Sequence, residues 1–360
     1  MRIRAQRDDL ADVLSRANRA VGTRAALPVL QGLLCEAVGE MLKVTGTDLD
    51  VTVRTQTEVE VMEPGRAVIP GRLMTEAVRK MPAGQVTIGA DEHEVTIEGN
   101  GPRFTLRPLV LEDFPTQEEI PVEGVQVDGE LLGEAIAQVT IAASGDGARP
   151  ILTGVLFEPI DDGLRLVATD SYRLAKRDLP GVGLAGTGLV PARGLRELTK
   201  TVGAPKITAQ LRERDAVFAS ERGVLQLRLI DGTFPKYQSL LPESYPNQVV
   251  LNKEELLDAL GRVTLVAEDH IPVRMKLREG GVEVAVTRQD VGGETEHLPG
   301  EFTGAEEEVS IAFNPRYLQD GVLALEGDRV RIQVLDAFKP AVIDSGADSD
   351  YLYLLMPVRV

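Results

Sequence analysis

Ile69-Pro70-Gly71-Arg72-Leu73 returns as Val190-Pro191-Ala192-Arg193-Gly194-Leu195 and, more loosely, as Phe313-Asn314-Pro315-Arg316-Tyr317-Leu318. The three arginines stand 121 and then 123 residues apart. Each copy reads as a strand end, a Pro near the first helical position, then an amphipathic run. Pro suits that place because its missing N–H has no intrahelical partner to lose. Other echoes keep the interval. Thr47-Asp48 and Thr169-Asp170 are 122 apart, and Thr287-Arg288 lies 118 further on. Leu111-Glu112-Asp113-Phe114-Pro115 matches Ile230-Asp231-Gly232-Thr233-Phe234-Pro235, with the Phe residues 120 apart. Helix starts recur at Asp8-Asp9-Leu10, Asp128-Gly129-Glu130-Leu131 and Asn252-Lys253-Glu254-Glu255-Leu256. The period is far longer than the roughly 20–50 residues of solenoid repeats. It is the size of a small domain, so the expected organisation is a triplicated unit: 1–121, 122–248 and 249–360.

The bulk numbers agree. A chain of 360 residues has a length prior of about two to three domains. Hydrophobic content of 43% with 26% charged residues suits a folded globular chain. No apolar run approaches the ~18 residues that span a bilayer, and Met1-Arg2-Ile3-Arg4 opens into alternation without a signal peptide's apolar core. Cys35 is the single cysteine, so no intrachain disulfide can form, and a reducing cytoplasm fits. The net charge of −17 argues against simple wrapping of nucleic acid. It leaves room for a local basic stripe.

In order along the chain, Leu10, Val13, Leu14, Ala17 and Val21 predict a helix over 8–22, with Asp8 or Asp9 available as its cap. Val51, Val53, Thr55, Thr57, Val59 and Val61 alternate with polar residues, which predicts a half-buried antiparallel strand. A second helix is expected over 71–81, then strands at Gln85–Ile88, His93–Glu98 and Arg103–Arg107. The middle unit repeats the order, with helices at 128–140 and 192–202. Each unit is therefore α+β: two helices against antiparallel sheet. The last strand, Tyr351–Leu355, runs straight into Met356-Pro357-Val358-Arg359-Val360, an apolar tail expected to dock.

A search for catalytic chemistry finds little. His93 falls on a predicted strand, His270 in a turn and His297 in a polar loop, none with a second His or a Cys at metal-ligand spacing. No Gly-x-Ser-x-Gly elbow or phosphate loop occurs. Gly181-Val182-Gly183-Leu184-Ala185-Gly186 fits a dinucleotide-binding pattern, but no helix follows and no acidic residue stands about 20 residues on, so it reads as a connection. No cofactor or metal is expected. Two constellations remain. The first is basic: Arg16, Arg19, Arg24, Arg72, Arg79, Lys80, Arg193, Arg196, Lys200, Arg262 and Arg316 fall on or beside the repeated helices. Arg72 and Arg79, like Arg193 and Lys200, are seven apart and are expected to share a helix face. A solvated helix face explains each one singly; recurrence in all three units favours a function. The second is apolar: Tyr172 and Leu174 after a strand end, Pro235, Leu240 and the C-terminal tail.

Taken together, the triplicated unit, Ala168-Thr169-Asp170-Ser171-Tyr172-Arg173-Leu174, Phe234-Pro235-Lys236-Tyr237 and Leu355-Met356-Pro357-Val358-Arg359-Val360 resemble the bacterial sliding clamps, the β subunits of DNA polymerase III. The resemblance covers the whole chain. It implies a closed head-to-tail homodimeric ring, helices lining the hole, sheets outside and duplex DNA threaded through without sequence preference. It implies a peptide pocket at Leu152, Thr169, Ser171, Tyr172, Arg173, Leu174, Pro235, Ser239, Leu240, Pro340, Leu354, Met356, Pro357, Val358, Arg359 and Val360. That pocket would receive short motifs of the polymerase III alpha subunit, the clamp loader and repair proteins. Ser171-Tyr172 replaces the Gly-His often found there, which enlarges the aromatic wall, and Ser239 stands where some members carry Arg. For DNA, Arg24 matches a contacting loop arginine; Arg72, Arg79, Arg193 and Lys200 would lie on the lining helices. Pro150-Ile151 replaces two tyrosines of some members, which leaves Arg149 as the candidate there. At the subunit joint the match points to Phe104 and Leu106 on one side and Leu265 on the other. The expected function is a non-enzymatic clamp in the cytoplasm, associated with the nucleoid. The alternatives are a triplicated peptide-binding scaffold that does not encircle DNA and, with no site to support it, a carbohydrate- or nucleotide-active enzyme.

Overall fold

Every copy of the Pro-containing stretch ends a strand and opens a helix. The structure is a computed structural model that describes residues 1–22, 27–115, 121–241, 244–267, 271–346 and 349–359. Strand Gly65–Pro70 leads into α2 (Gly71–Lys80), Gly188–Pro191 into α4 (Ala192–Leu195), and Glu308–Phe313 into α7 (Pro315–Leu323). Pro70 and Pro191 sit one place before the first helical residue and Pro315 at it. The other helices are α1 (Arg7–Ala17), α3 (Gly129–Thr140), α5 (Leu198–Thr201) and α6 (Lys253–Val266).

The chain packs as two compact units, Met1–Gly133 with Leu184–Leu229, and Glu134–Gly183 with Ile230–Val360. The middle repeat is thus divided between them. The reason is strand pairing. Its strand Gly223–Arg228 extends a sheet of the first repeat through Val51–Glu58, and its strand Arg173–Pro180 joins the third repeat through Tyr351–Leu355.

In the first unit, one antiparallel sheet runs Glu60–Glu63, Arg2–Gln6, Gln85–Ala90, Val95–Glu98, Arg103–Leu106. A second runs Val125–Asp128, Lys206–Leu211, Asp215–Ser220, Gly223–Arg228, Val51–Glu58, Met41–Thr47, Gly32–Val38, Gly65–Pro70. Helices α1 and α2 pack together, and Leu10, Leu14, Met74 and Val78 fill the core beneath them. Truncating a fully buried leucine such as Leu10 to Ala is of the class that costs roughly 2–5 kcal/mol. Gly71 lets the helices approach, since a Cβ there would lie 2.6 Å from Asn18 Oδ1. In the second unit, the strands run Gly154–Ile160, Gly163–Thr169, Arg173–Pro180, Tyr351–Leu355, Ala341–Asp344, Arg329–Val334, Asn247–Asn252, Gly292–Thr303, Gly281–Arg288, Val273–Arg278, Glu308–Phe313. The fold is mixed α and β with antiparallel sheets, as the alternation predicts.

Several local expectations need correction. The first helix ends at Ala17 and continues as one 3-10 turn, and Gln6 rather than Asp8 or Asp9 occupies its cap position. Those two acids lie in the first turn, where they oppose the positive end of the helix dipole. The long alternating strand breaks at Val59, which turns inward and is buried. His93 lies in an exposed turn held by the Asp91 carboxylate, and His297 on strand Gly292–Thr303 opposite Glu283. The expected helix at 192–202 is two single turns, α4 and α5, interrupted at Arg196 and Glu197.

Candidate functional site

The second unit gathers most of the apolar constellation at one end of its sheet. Strand Arg173–Pro180 pairs with Tyr351–Leu355, Arg173 opposite Leu355. Ala341 faces Leu355 from the other side, so Pro340 stands beside Met356. Beyond the last strand, Met356 N donates to Tyr172 O at 2.9 Å and Val358 N to Ala312 O at 2.8 Å. The tail is therefore docked along its backbone. Met356 and Val358 keep about a third of their surfaces exposed, 37% each, and present side chains to solvent.

A tight loop sets the aromatic wall. Asp170 Oδ1 accepts from Tyr172 N (2.9 Å) and Arg173 N (3.0 Å), while Thr169 Oγ1 donates to Arg173 O (2.7 Å) and accepts from Ser171 N (3.2 Å). The turn forces Ser171 to a φ of 81°, in the left-handed region that favours glycine. Tyr172 stands out at 58% exposure. The first repeat builds the same loop, with Thr47, Asp48 and Leu49 in place of Thr169, Asp170 and Ser171, and Leu49 at φ 80°.

Leu152 lies in the turn Pro150–Thr153, directly before strand Gly154–Ile160, whose pairing of Leu156 with Val167 brings that turn toward Thr169. Pro235, Ser239 and Leu240 belong to a segment pinned by Tyr237. That ring is fully buried, its edge meets Phe234 at 6.4 Å, and its hydroxyl donates to Glu158 at 2.6 Å. Burial, then the Glu158 carboxylate, push the Tyr237 phenol up to about 12. On the same strands Arg165 forks onto Asp178 at 2.7 and 2.9 Å; Arg165 and Lys176 hold that carboxyl below its usual range against the opposing effect of burial. Tyr237→Phe is expected to lower stability by about 1 kcal/mol, the net worth of one buried hydrogen bond, in urea melts read by circular dichroism.

Five of the sequence candidates are placed differently from an open pocket wall. Leu174 and Leu354 are buried core, and Leu152 and Thr169 are buried as well. Arg173 turns inward: Nε donates to Asp170 at 3.0 Å, Nη1 to Asp320 at 2.7 Å, and the guanidinium lies 4.1 Å over the Tyr317 ring. Phe338, 72% exposed two residues before Pro340, escaped the sequence reading. Its only signal was an apolar residue inside the polar turn Asp336–Lys339. Arg24, His270 and Val360 lie outside the described residues.

The basic candidates scatter more. Arg79 pairs with Glu76 (3.5 Å), Arg149 with Asp146 (3.1 Å) and Arg193 with Asp48. Arg16 is buried against Asp12 and the Arg222 carbonyl, Arg19 meets Glu197, and Arg262 forks onto Glu296. Arg193 and Lys200 occupy separate turns, so their spacing does not place them on one helix face. Phe104 is on strand Arg103–Leu106 at the edge of the five-stranded sheet, 37% exposed, with Leu106 packed partly on the core. Leu265, near the end of α6, is 85% exposed. Among the described residues no group of His, Cys, Asp and Glu could hold a metal, and no helix is long and apolar enough to cross a membrane. Burial, then Glu36, push the Cys35 thiol up to about 12, which keeps it protonated.

A thrice-repeated α/β unit with antiparallel sheets, a docked C-terminal tail and exposed apolar side chains around it defines a three-domain clamp architecture. The chain belongs to the DNA polymerase III beta subunit family, the beta sliding clamps: the family's N-terminal, central and C-terminal domains match residues 1–118, 126–236 and 238–359. It is 32% identical to the beta sliding clamp of Streptomyces coelicolor over 376 aligned positions, covering all of both chains. A beta sliding clamp homolog, GriR, of Streptomyces muensis is 30% identical, with 100% and 99% of the two chains covered. Among solved structures, the sliding clamp of Bacillus subtilis superposes with a TM-score of 0.94 at 26% identity, covering 100% of this chain and 99% of that one. A Caulobacter crescentus clamp, described with polyethylene glycol at a putative beta-motif tethering region, superposes at 0.92 and 26% identity, covering 100% and 99%. This is a DNA sliding clamp, a non-catalytic processivity factor of replication.

Proposed function

We propose that this chain acts as a closed homodimeric ring that encircles duplex DNA in the cytoplasm, at the nucleoid, and tethers the polymerase III alpha subunit, the clamp loader and repair proteins. The observation that carries the reading is full-length correspondence to the clamp family, one family domain in each repeat. Two features support the finer parts. Phe104 and Leu265 are large apolar side chains exposed in the single chain, as a subunit joint requires. Tyr172, Met356 and Val358 are apolar side chains exposed at the docked tail, with Pro340 beside Met356, as a peptide seat requires; Leu240, exposed in its own turn, is a further candidate with Pro235, Ser239 and Leu152.

Retention on DNA then depends on topology more than on attraction. At −17 the chain has little net pull on phosphates. If about three or four phosphates are neutralised at once, the salt slope of binding is near −3, shallow beside a dedicated DNA binder. Such contacts permit sliding, while ring closure prevents escape. The test loads the protein onto nicked circular plasmid, raises the salt and then linearises the DNA. Rings are expected to stay on the circle and run off after cutting. Equal loss from circular and linear DNA would favour the scaffold that does not encircle DNA.

A further inference from the structure

The three arginines that mark the repeats are not in the same state. Arg72 and Arg316 are exposed and have no ion partner among the described residues. Arg193, with a side chain 68% exposed, is paired to Asp48, whose own side chain is only 14% exposed. Asp48 is held firmly. Its Oδ1 accepts from Val51 N at 2.8 Å and Asp50 N at 3.2 Å, and its backbone N donates to Val51 O at 3.1 Å, which leaves Oδ2 for the arginine.

The second repeat explains the difference. Its matching carboxylate, Asp170, makes the same two backbone contacts through Oδ1 but gives Oδ2 to Arg173 of its own loop at 3.0 Å. Val51 stands where Arg173 does, since each directly follows the corresponding loop and faces the corresponding strand, Val51 opposite Leu227 and Arg173 opposite Leu355. Without a local guanidinium, Asp48 Oδ2 is open to Arg193. With Asp170 occupied, Arg316 has no such partner.

We infer that Asp48 is a positioning residue that holds Arg193 in an internal ion pair, so that of the three repeated arginines only Arg72 and Arg316 meet DNA phosphates as unpaired cations. This rests on the clamp reading for the identity of the polyanion. A phosphate that takes Arg193 must displace a carboxylate already fixed by two amides, an exchange of one anion for another that releases little net counterion. The arrangement weakens the grip on DNA at one of three equivalent places, in keeping with a surface that must slide.

The experiment measures binding of the full chain to a short linear duplex by fluorescence anisotropy from 50 to 200 mM salt, a readout that does not need ring closure. Arg72→Ala and Arg316→Ala are each expected to weaken binding roughly threefold and flatten the slope by about 0.9, one phosphate contact apiece. Arg193→Ala should change affinity by less than about twofold, below the value of one such contact. Asp48→Asn keeps an Oδ1 for both amides and so should melt within a few degrees of the parent; it should bind roughly threefold tighter, with a slope steeper by about 0.9. Adding Arg193→Ala to Asp48→Asn should abolish that gain, which a mere change in net charge would not do. The inference is overturned if Asp48→Asn binds like the parent, if its gain survives in the double variant, or if Arg193→Ala costs as much as Arg72→Ala. Loss of the parent from circular plasmid as fast as from linear DNA defeats the ring and leaves these comparisons on the linear duplex to be scored by themselves.

Discussion

Phe104→Asp is expected to turn a dimer into folded monomers in sedimentation velocity at micromolar concentration. Phe104 lies on an edge strand, where one row of backbone groups is unpaired and can accept a second chain. The aromatic ring beside it supplies apolar area in a chain that has no Trp. Obligate joints of this type bury roughly 2,000 Å² or more. A carboxylate placed in such a joint without a partner costs about 3–5 kcal/mol, or some hundredfold to several thousandfold per joint. A two-fold ring has two identical joints, so the losses multiply. Because Phe104 is partly exposed in the single chain, the core beneath is little disturbed, and the far-ultraviolet spectrum should be unchanged. A parent chain that sediments as a clean monomer at the same concentration would rule out the ring.

Removing Met356 to Val360 is expected to leave folding and dimerisation intact while weakening a polymerase-tail peptide about thirtyfold or more. The deletion stops after strand Tyr351–Leu355, so that strand keeps its ladders to Arg173–Pro180 and Ala341–Asp344. What goes is the backbone contact to Tyr172 and the contact to Ala312, together with the exposed Met356 and Val358 side chains. Apolar anchors of this kind cost about 2–4 kcal/mol when truncated. Tyr172→Ala should act in the same direction, because its ring stands largely clear of the protein. Isothermal titration with the peptide decides it: parental affinity in both variants would place the peptide elsewhere.

Much of this architecture is readable along the chain. The triplication rests on short stretches whose local chemistry is self-sufficient. A Pro before an amphipathic run starts a helix wherever it stands, and an Asp three residues before a strand caps its own loop amides, as Asp48 and Asp170 both do. Period-two alternation gave antiparallel sheets for the same local reason, that side chains on a strand point to opposite faces. The apolar end after Leu355 pointed to docking, and its backbone bonds to Tyr172 and Ala312 give that expectation its content. Where local preference is ambiguous the structure departs from the expected element. Residues 192–202 have helical spacing but break at Arg196 and Glu197, and His93 falls in a turn shaped by the Asp91 carboxylate.

The sequence by itself determined the repeat, the α+β class and the absence of a recognisable catalytic motif, because each depends on residue type and spacing within one element or one period. Tertiary structure decided how the charged residues are used. Arg193 meets Asp48 across 145 positions, Arg173 meets Asp320 across 147, and Arg19 meets Glu197 across 178. No spacing rule reaches that far, and a run of basic residues that looks like a uniform stripe in the sequence becomes a set of paired and unpaired cations once the sheets bring distant carboxylates alongside. Arg173 shows the physical reason most plainly: a guanidinium beside a strand end can face solvent or turn inward, and the choice falls to the Asp320 carboxylate and Tyr317 ring that another repeat places against it.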